Sequence, residues 1–516
     1  MAPPNRLPTR PERPTPVPLS TLLDGAPDVA VTGVTLSSQR VQPGDLYAAL
    51  PGSRAHGADY AGDAVAAGAV AVLTDAAGAE RAGRAGTAGV PVVVVDDPRT
   101  LLGGLAAAVY GRPAESMATI GVTGTQGKTT TTRLAEDALE RAGVRASVIG
   151  TIGTRVAGRD VATSLTTPEA PDLHGLFALM REQEVEACVM EVSSHALVMG
   201  RVDGVVFDVA VFLNLGRDHL DFHDTVEDYY RAKATLFTPE HARRAVVNAD
   251  DEHGRRLAGE VRDLGLPVRT FSCAPGSDAD WRAEDVVTAP DGSTFTVVGP
   301  DGVRVPASVA LPGDYNVANA LAAVAAAAEA GIDPAVVASG LGRAGGVPGR
   351  LERVDAGQDF LVVVDYAHKP DAVEAALSAL RPLAVGPSAT GGGRVLTVLG
   401  AGGDRDPGKR PIMAEVAVRL SDVLVVTDDN PRSEDPATIR AAMLAGVPDA
   451  TACDVVEVGD RRAAIAHALD LAGPGDVVLV AGKGHETGQE VDGVKHPFDD
   501  RDVVRELLTD RVEAAR

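Results

Sequence analysis

At 516 residues, 45% of them apolar and 23% charged, the chain is long enough for about three domains, each with its own core. Its 72 acids against 48 bases leave a net charge of −24, a field that argues against nucleic acid and anionic membrane surfaces as partners. No run approaches the roughly 18 consecutive apolar residues of a membrane span, so no membrane insertion is expected.

Residues 1–18 hold seven prolines and no apolar stretch, which predicts a disordered leader rather than a signal peptide. The next region, 19–116, has a strand-like stretch at Val29 to Leu36, a helical pattern at Ala61 to Gly68 and a β-branched run at Val92 to Val95. Region 117–347 opens with a strand from Ala118 into a glycine turn, and a second apolar strand runs from Ala187 to Val192. In region 348–516 the runs Phe360 to Val364, Val395 to Leu399, Val423 to Val426 and Val477 to Val480 are separated by helix-period stretches. Buried strands alternating with helices predict an α/β chain of three domains built on mostly parallel, doubly wound sheets. Pro290-Asp291-Gly292 and Gly391-Gly392-Gly393 read as turns. The three scattered cysteines, Cys188, Cys273 and Cys453, fit a reducing cytoplasm without disulfides.

Base usage is lopsided. Only Lys128, Lys233, Lys369, Lys409, Lys483 and Lys495 are lysines, so 42 of the 48 bases are arginines. A retained lysine hints that a compact ammonium or a reactive amine is required there.

The strongest motif is Gly121-Val122-Thr123-Gly124-Thr125-Gln126-Gly127-Lys128-Thr129-Thr130. Its glycines let backbone N–H groups close on phosphate oxygens at a helix N-terminus. Lys128 reaches the terminal phosphates, and Thr129 offers a hydroxyl to magnesium. The strict Walker spacing would place a glycine at Val122, so a glycine-rich turn without a nucleotide stays open at this point. Downstream, Glu191 sits at the C-terminal end of its strand, where α/β sheets bind ligands and where a carboxylate can hold the magnesium that bridges ATP phosphates. Asn214 to His223 contains Asp218, His219, Asp221 and His223. That cluster could be a zinc site or a polar loop, but the phosphate loop upstream favours nucleotide-linked magnesium.

Three strand ends in the last region carry Gly402 to Arg405, Asp428-Asp429-Asn430-Pro431-Arg432 and Gly482-Lys483-Gly484-His485-Glu486. Two arginines suit a carboxylate and Glu486 suits an ammonium, which together suit the zwitterionic end of an amino acid. A dinucleotide loop at Gly400 is a weak reading, because its third glycine is replaced by Arg405.

The phosphate loop resembles that of the Mur ligases, with Gln126 where the family usually has Asn. The resemblance runs over roughly residues 30 to 505. It implies an N-terminal UDP-binding domain, a central P-loop ATPase domain and a C-terminal Rossmann-like domain. It implies ATP contacts at Gly124, Thr125, Gln126, Gly127, Lys128, Thr129, Thr130, Asn316, Asn319, Arg350 and Asp365, where capping of a helix is the alternative for the two asparagines. The UDP-sugar dipeptide would meet Leu36, Ser38, Ser53, Arg54, Ala55, Thr166, Thr167, Ser193, Met199 and Arg201, with Met199 standing where Gln is common. Magnesium would meet Thr129, Glu191, His219 and a carbamate on Lys233, formed from carbon dioxide. Catalysis would fall to Lys128, His219 and Lys233. Asp429, Asn430, Pro431 and Arg432 resemble the diaminopimelate motif of some members, with Arg405, Gly482 and Glu486 as further contacts. Members that add lysine lack that arginine. The activity implied is ATP-driven addition of diaminopimelate to the D-Glu γ-carboxylate of UDP-MurNAc-L-Ala-D-Glu through an acyl phosphate, by a cytoplasmic monomer. A related amide ligase and a regulatory P-loop ATPase are the competing readings.

Overall fold

The computed structural model describes residues 8–52, 55–220, 222–289, 291–343, 345–385 and 392–514. It divides into two compact units. The first comprises Met1–Arg282, Val298–Val305 and Asn319–Gly340; the second comprises Ala283–Val297, Pro306–Ala318 and Leu341–Arg516.

The first unit holds a four-stranded sheet, a two-stranded one and eight neighbouring strands of a larger one. Strands Gly33–Thr35, Asp45–Ala48, Ala71–Thr74 and Val92–Val94 lie in that order and all parallel. Helix Pro98–Val109 covers one face, burying Leu102 and Leu105 against Val34, Leu46 and Leu73. Its start is fixed by proline at its first position and by Asp97, whose carboxylate accepts the N–H groups of Arg99 and Thr100. Eight neighbouring strands of an eleven-stranded sheet follow the order Arg159–Val161, Thr154–Val156, Ala146–Ile149, Ala187–Glu191, Ala118–Thr123, Val209–Phe212, Ala245–Asn248, Val268–Ser272. These eight pair in parallel except at the two ladders that Thr154–Val156 makes, with Arg159–Val161 and with Ala146–Ile149. The Ala118–Thr123 strand is therefore central, with Ala187–Glu191 on one side and Val209–Phe212 on the other.

Contrary to the expectation of a disordered leader, the described part of residues 1–18 is ordered. Arg10 is buried, and its Nη1 donates to both oxygens of Asp45 at 2.8 and 2.7 Å. The N–H groups of Glu12 and Arg13 donate to Glu182, and Val17–Pro18 pairs antiparallel with Ala30–Val31. A buried ion pair and this backbone pairing hold the segment, and its prolines lower the entropy lost on ordering it. Residues 19–116 and most of 117–347 also share one unit, while 283–297, 306–318 and 341–347 fall in the other. Helix Pro98–Val109 lies so close to the Asp203 backbone that a Cβ on Gly103 would come within 2.4 Å of it.

The second unit is built on six strands in the order Glu352–Arg353, Leu361–Asp365, Val477–Ala481, Val395–Leu399, Val423–Val426, Asp454–Glu457. All neighbours are parallel except the first pair. Helices pack on both faces and give two apolar cores. Pro290 and Gly391, both in predicted turns, lie outside the described residues. Among the described residues no helix is long and apolar enough to cross a membrane.

Candidate active site

In the first unit, three adjacent strand ends converge. Ala118–Thr123 runs into the phosphate loop and then helix Lys128–Arg141. Gly127 takes φ +84° and is crowded by Asn319, whose Oδ1 a Cβ would approach to 2.4 Å, so only glycine fits. Lys128 Nζ folds back on the loop, donating to Gly124 O at 2.6 Å and Thr125 O at 3.1 Å. Thr129 and Thr130 are buried in the first turn. Asn319 lies within its helix rather than capping it, and accepts from Thr131 Oγ1 at 3.3 Å.

The loop is braced by residues to which the sequence reading gave no role. Asn214 Oδ1 accepts the N–H groups of Thr125 and Gln126 at 3.1 and 2.9 Å, and its Nδ2 donates to Gln126 O at 3.2 Å. Tyr229 OH lies 3.2 Å from Thr125 Oγ1. Asn214 stands at the end of the neighbouring strand, 88 residues from Gln126, so no local pattern marks it.

Lys233 sits on helix Val226–Ala234, is 1% exposed, and donates from Nζ to Gly124 O at 2.9 Å. Its ammonium lies 4.4 Å from the Tyr229 ring centre. His219 adopts φ +54°, and its Nε2 is 3.2 Å from Asp218 Oδ2. His195 stacks on Phe222 and meets His219 edge-on at 4.8 Å. Asp221 lies outside the described residues.

Glu191, 1% exposed, is level with Val122 on the next strand. Its carboxylate accepts the N–H and hydroxyl of Thr151 at 2.8 and 3.1 Å. Around it gather the predicted dipeptide contacts. Thr166 Oγ1 is 3.1 Å from Thr151 Oγ1, and Thr167 Oγ1 donates to Glu191 O at 2.9 Å. Ser193 N donates to Thr167 Oγ1 at 3.2 Å. Arg201 pairs with Glu169 at 2.8 Å and donates to Thr167 O and to Met199 Sδ. Met199 Sδ thus accepts from Arg201.

Leu36 and Ser38 follow strand Gly33–Thr35, and Ala55 is exposed in a tight loop after strand Asp45–Ala48, at the same sheet edge. Ser53 and Arg54 lie outside the described residues.

Among the described residues no three His, Cys, Asp or Glu side chains form a metal-holding group. The donors on hand are the Thr129 hydroxyl, the Glu191 carboxylate, the His219 imidazole and the Lys233 amine. So sparse a set fits magnesium, which keeps waters and takes further oxygens from bound phosphates.

In the second unit, four adjacent strand ends carry the remaining residues. Asp365 accepts the N–H groups of Leu351 and Ala367, both at 2.7 Å; burial pushes its carboxyl up and Arg350 opposes the shift. The Arg350 guanidinium lies over the Tyr366 ring at 4.7 Å. Asn316, in the first turn of its helix, donates from Nδ2 to Pro312 O at 2.7 Å.

Arg432, at φ +53°, donates from Nη1 to Gly403 O at 2.6 Å. A Cβ on Gly402 would lie 2.9 Å from Arg432 Nη1 and 4.0 Å from Arg405 Cγ, so both arginines flank this glycine. Gly482 takes φ +118° directly against the Asp429 carboxylate. Pro431 is buried, while Arg405 is exposed. Lys483, completely buried, joins the cluster: Nζ donates to Asn430 Oδ1 at 3.0 Å and Glu486 Oε2 at 3.2 Å, and lies 3.8 Å from Asp429. Asn430 Nδ2 also donates to Glu486 at 2.8 Å. Lysine scarcity was the available signal for Lys483.

The chain matches three family models: Mur ligase family catalytic domain over residues 30–110, Mur ligase middle domain over 122–327, and Mur ligase glutamate ligase domain over 349–484. It is 54% identical to the UDP-N-acetylmuramoyl-L-alanyl-D-glutamate–2,6-diaminopimelate ligase of Streptomyces avermitilis, covering 93% of each chain. It is 53% identical to the enzyme of the same name from Streptomyces coelicolor, covering 97% of this chain and 98% of that one. A solved structure of a ligase with that name superposes with a TM-score of 0.68 at 32% identity, covering 97% of this chain and all of the other. A MurF structure from Acinetobacter baumannii shares the fold at 20% identity, with a TM-score of 0.64 and coverage of 91% and 96%.

Proposed function

Because the chain belongs to the Mur ligase family, we propose that it is the ATP-dependent ligase that adds diaminopimelate to UDP-N-acetylmuramoyl-L-alanyl-D-glutamate in peptidoglycan precursor synthesis. The observation that carries the amino-acid choice is the pair of arginines flanking Gly402 beside Asn430 and Glu486. Arg405 and Arg432 receive the distal carboxylate of diaminopimelate, and Glu486 receives its ammonium.

A free carboxylate is a poor electrophile, so ATP first phosphorylates the D-Glu γ-carboxylate, giving an acyl phosphate and ADP. The diaminopimelate amine then attacks the acyl carbon, the tetrahedral intermediate collapses, and amide and phosphate leave. The backbone of Gly124 to Thr130 cradles the phosphates, and Lys128 turns from the loop carbonyls to the transferred group. Arg350 and Asp365 are further nucleotide contacts in this reading, and Asn316 and Asn319 serve its adenine side. Leu36, Ser38 and Ser53 to Ala55 hold the UDP group; Thr166, Thr167, Ser193, Met199 and Arg201 orient the dipeptide. Thr129, Glu191, His219 and a carbamylated Lys233 would hold magnesium, which would supply charge neutralisation at the phosphate oxygens. Its substrates, ATP and a UDP-sugar, suit an enzyme that acts in the cytoplasm, as a monomer.

Phosphate release with UDP-MurNAc-L-Ala-D-Glu and ATP tests the reading, comparing meso-diaminopimelate, LL-diaminopimelate and L-lysine. Release that depends on a diaminopimelate isomer supports it. Release indifferent to all three would refute it, and a preference for lysine would remove the role given to Arg432.

A further inference from the structure

The buried face of helix Lys128–Arg141 grips the turn beneath Glu191. Arg133 and Glu136 stand three positions apart and so share that face. Arg133 donates from Nη2 to Gly153 O at 2.9 Å, and Glu136, with no exposed surface, pairs with Arg155 Nε at 3.3 Å. Just before these anchors the turn closes with Gly153 N–H donating to Gly150 O at 3.0 Å. The turn presents Thr151. Its N–H and hydroxyl donate to the two oxygens of Glu191, and the Thr166 hydroxyl is placed to donate to Thr151 Oγ1. A Cβ at position 150 would come within 2.3 Å of Glu191 Oε1, so Gly150 lets the turn close on the carboxylate.

We propose that Thr151 is a positioning residue that ties the magnesium-binding carboxylate of Glu191 to the dipeptide-contacting hydroxyl of Thr166, and that Arg133 and Glu136 keep it in register with the phosphate loop. The inference rests on the reading of Glu191 as a magnesium ligand. One hydroxyl then serves two ligand sites, so the metal nucleotide and the UDP-sugar dipeptide favour each other's binding, and the coupling is reciprocal.

Manganese binding to the ADP complex of the full chain, followed by electron paramagnetic resonance, reads the metal side; KM for UDP-MurNAc-L-Ala-D-Glu reads the other. Thr151→Val is expected to weaken manganese binding about tenfold, as loss of a partner to a metal ligand does, and to raise the dipeptide KM. Thr151→Ser restores both. Arg133→Met, which leaves Thr151 in place, is expected to weaken manganese binding as well and guards against a Thr151 variant that fails to fold. Wild-type manganese affinity and dipeptide KM in folded Thr151→Val, or a Thr151→Ser as impaired as Thr151→Val, would overturn the proposal. Glu191→Gln separates the two layers. If it too binds manganese normally, the ligand reading falls and takes the proposal with it; if it loses manganese while Thr151→Val does not, only the role of Thr151 falls.

Discussion

Lys128 and Lys233 donate to the same carbonyl oxygen, that of Gly124, at 2.6 and 2.9 Å. Two ammonium groups on one acceptor repel each other, and Lys233 is buried besides. Adding carbon dioxide to Lys233 would turn the repulsion into attraction, because the side chain would become an anion beside the Lys128 cation. Arginine, which supplies 42 of the chain's 48 bases, cannot undergo that reaction.

Lys233→Ala is therefore expected to lower kcat at least ~100-fold, the scale of losing one preorganised charged group at a reacting centre. Short carboxylates or bicarbonate should restore part of the activity of a weakened variant. Intact-protein mass measured without acid should show the mass of one added carbon dioxide. Full activity of Lys233→Ala would contradict this role.

Arg432 is held by Gly403 O and lies 3.5 Å from Glu490, a geometry that aims a planar fork. Arg432→Lys keeps the charge and loses the fork. It is expected to raise KM for diaminopimelate about tenfold, on the order of 1.5 kcal/mol for a charge-assisted hydrogen bond, while leaving KM for ATP unchanged. Steady-state kinetics with each substrate varied in turn checks the split.

Much of this was legible in the sequence where the signal is local. The strands Val395–Leu399 and Val423–Val426 fall on the expected residues, because short runs of Val, Leu and Thr without charges bury both faces of a parallel sheet. The phosphate loop, Glu191 and the Asp429–Arg432 motif likewise follow a strand end each. What could not be read was long-range pairing. Thr151 meets Glu191 across 40 residues and Lys483 meets Asn430 across 53, and neither spacing leaves a periodic trace. The pairing of residues 8–18 leaves no local trace for the same reason, since proline content is visible and the partner of Arg10 is not.

Arg10→Ala tests that correction. It strands Asp45, 1% exposed, without its cation, and breaking a buried pair from one side costs about 3–5 kcal/mol. Chemical denaturation should show the loss. A midpoint equal to wild type would mean that residues 8–18 contribute no stability.

His174 gives the fold a pH dependence. Its imidazole is buried against Asp203 O at 3.0 Å, and burial pushes its pKa down to about 4. The native state therefore resists a proton that the unfolded chain accepts near the ordinary histidine value. The stabilisation is complete above about pH 6.5 and is lost as pH falls toward about 4. Relative to His174→Gln, the wild-type chain should lose about 2 kcal/mol between roughly pH 8 and pH 5. Parallel pH dependence of the two melting curves would contradict it.

The most direct measurement is mass spectrometry of the nucleotide-sugar after incubation of the enzyme with UDP-MurNAc-L-Ala-D-Glu, ATP, magnesium and diaminopimelate, with ADP counted alongside. The account predicts a product heavier by one diaminopimelate less one water, with one ADP formed for each amide. ADP and phosphate formed while the dipeptide keeps its mass would contradict it.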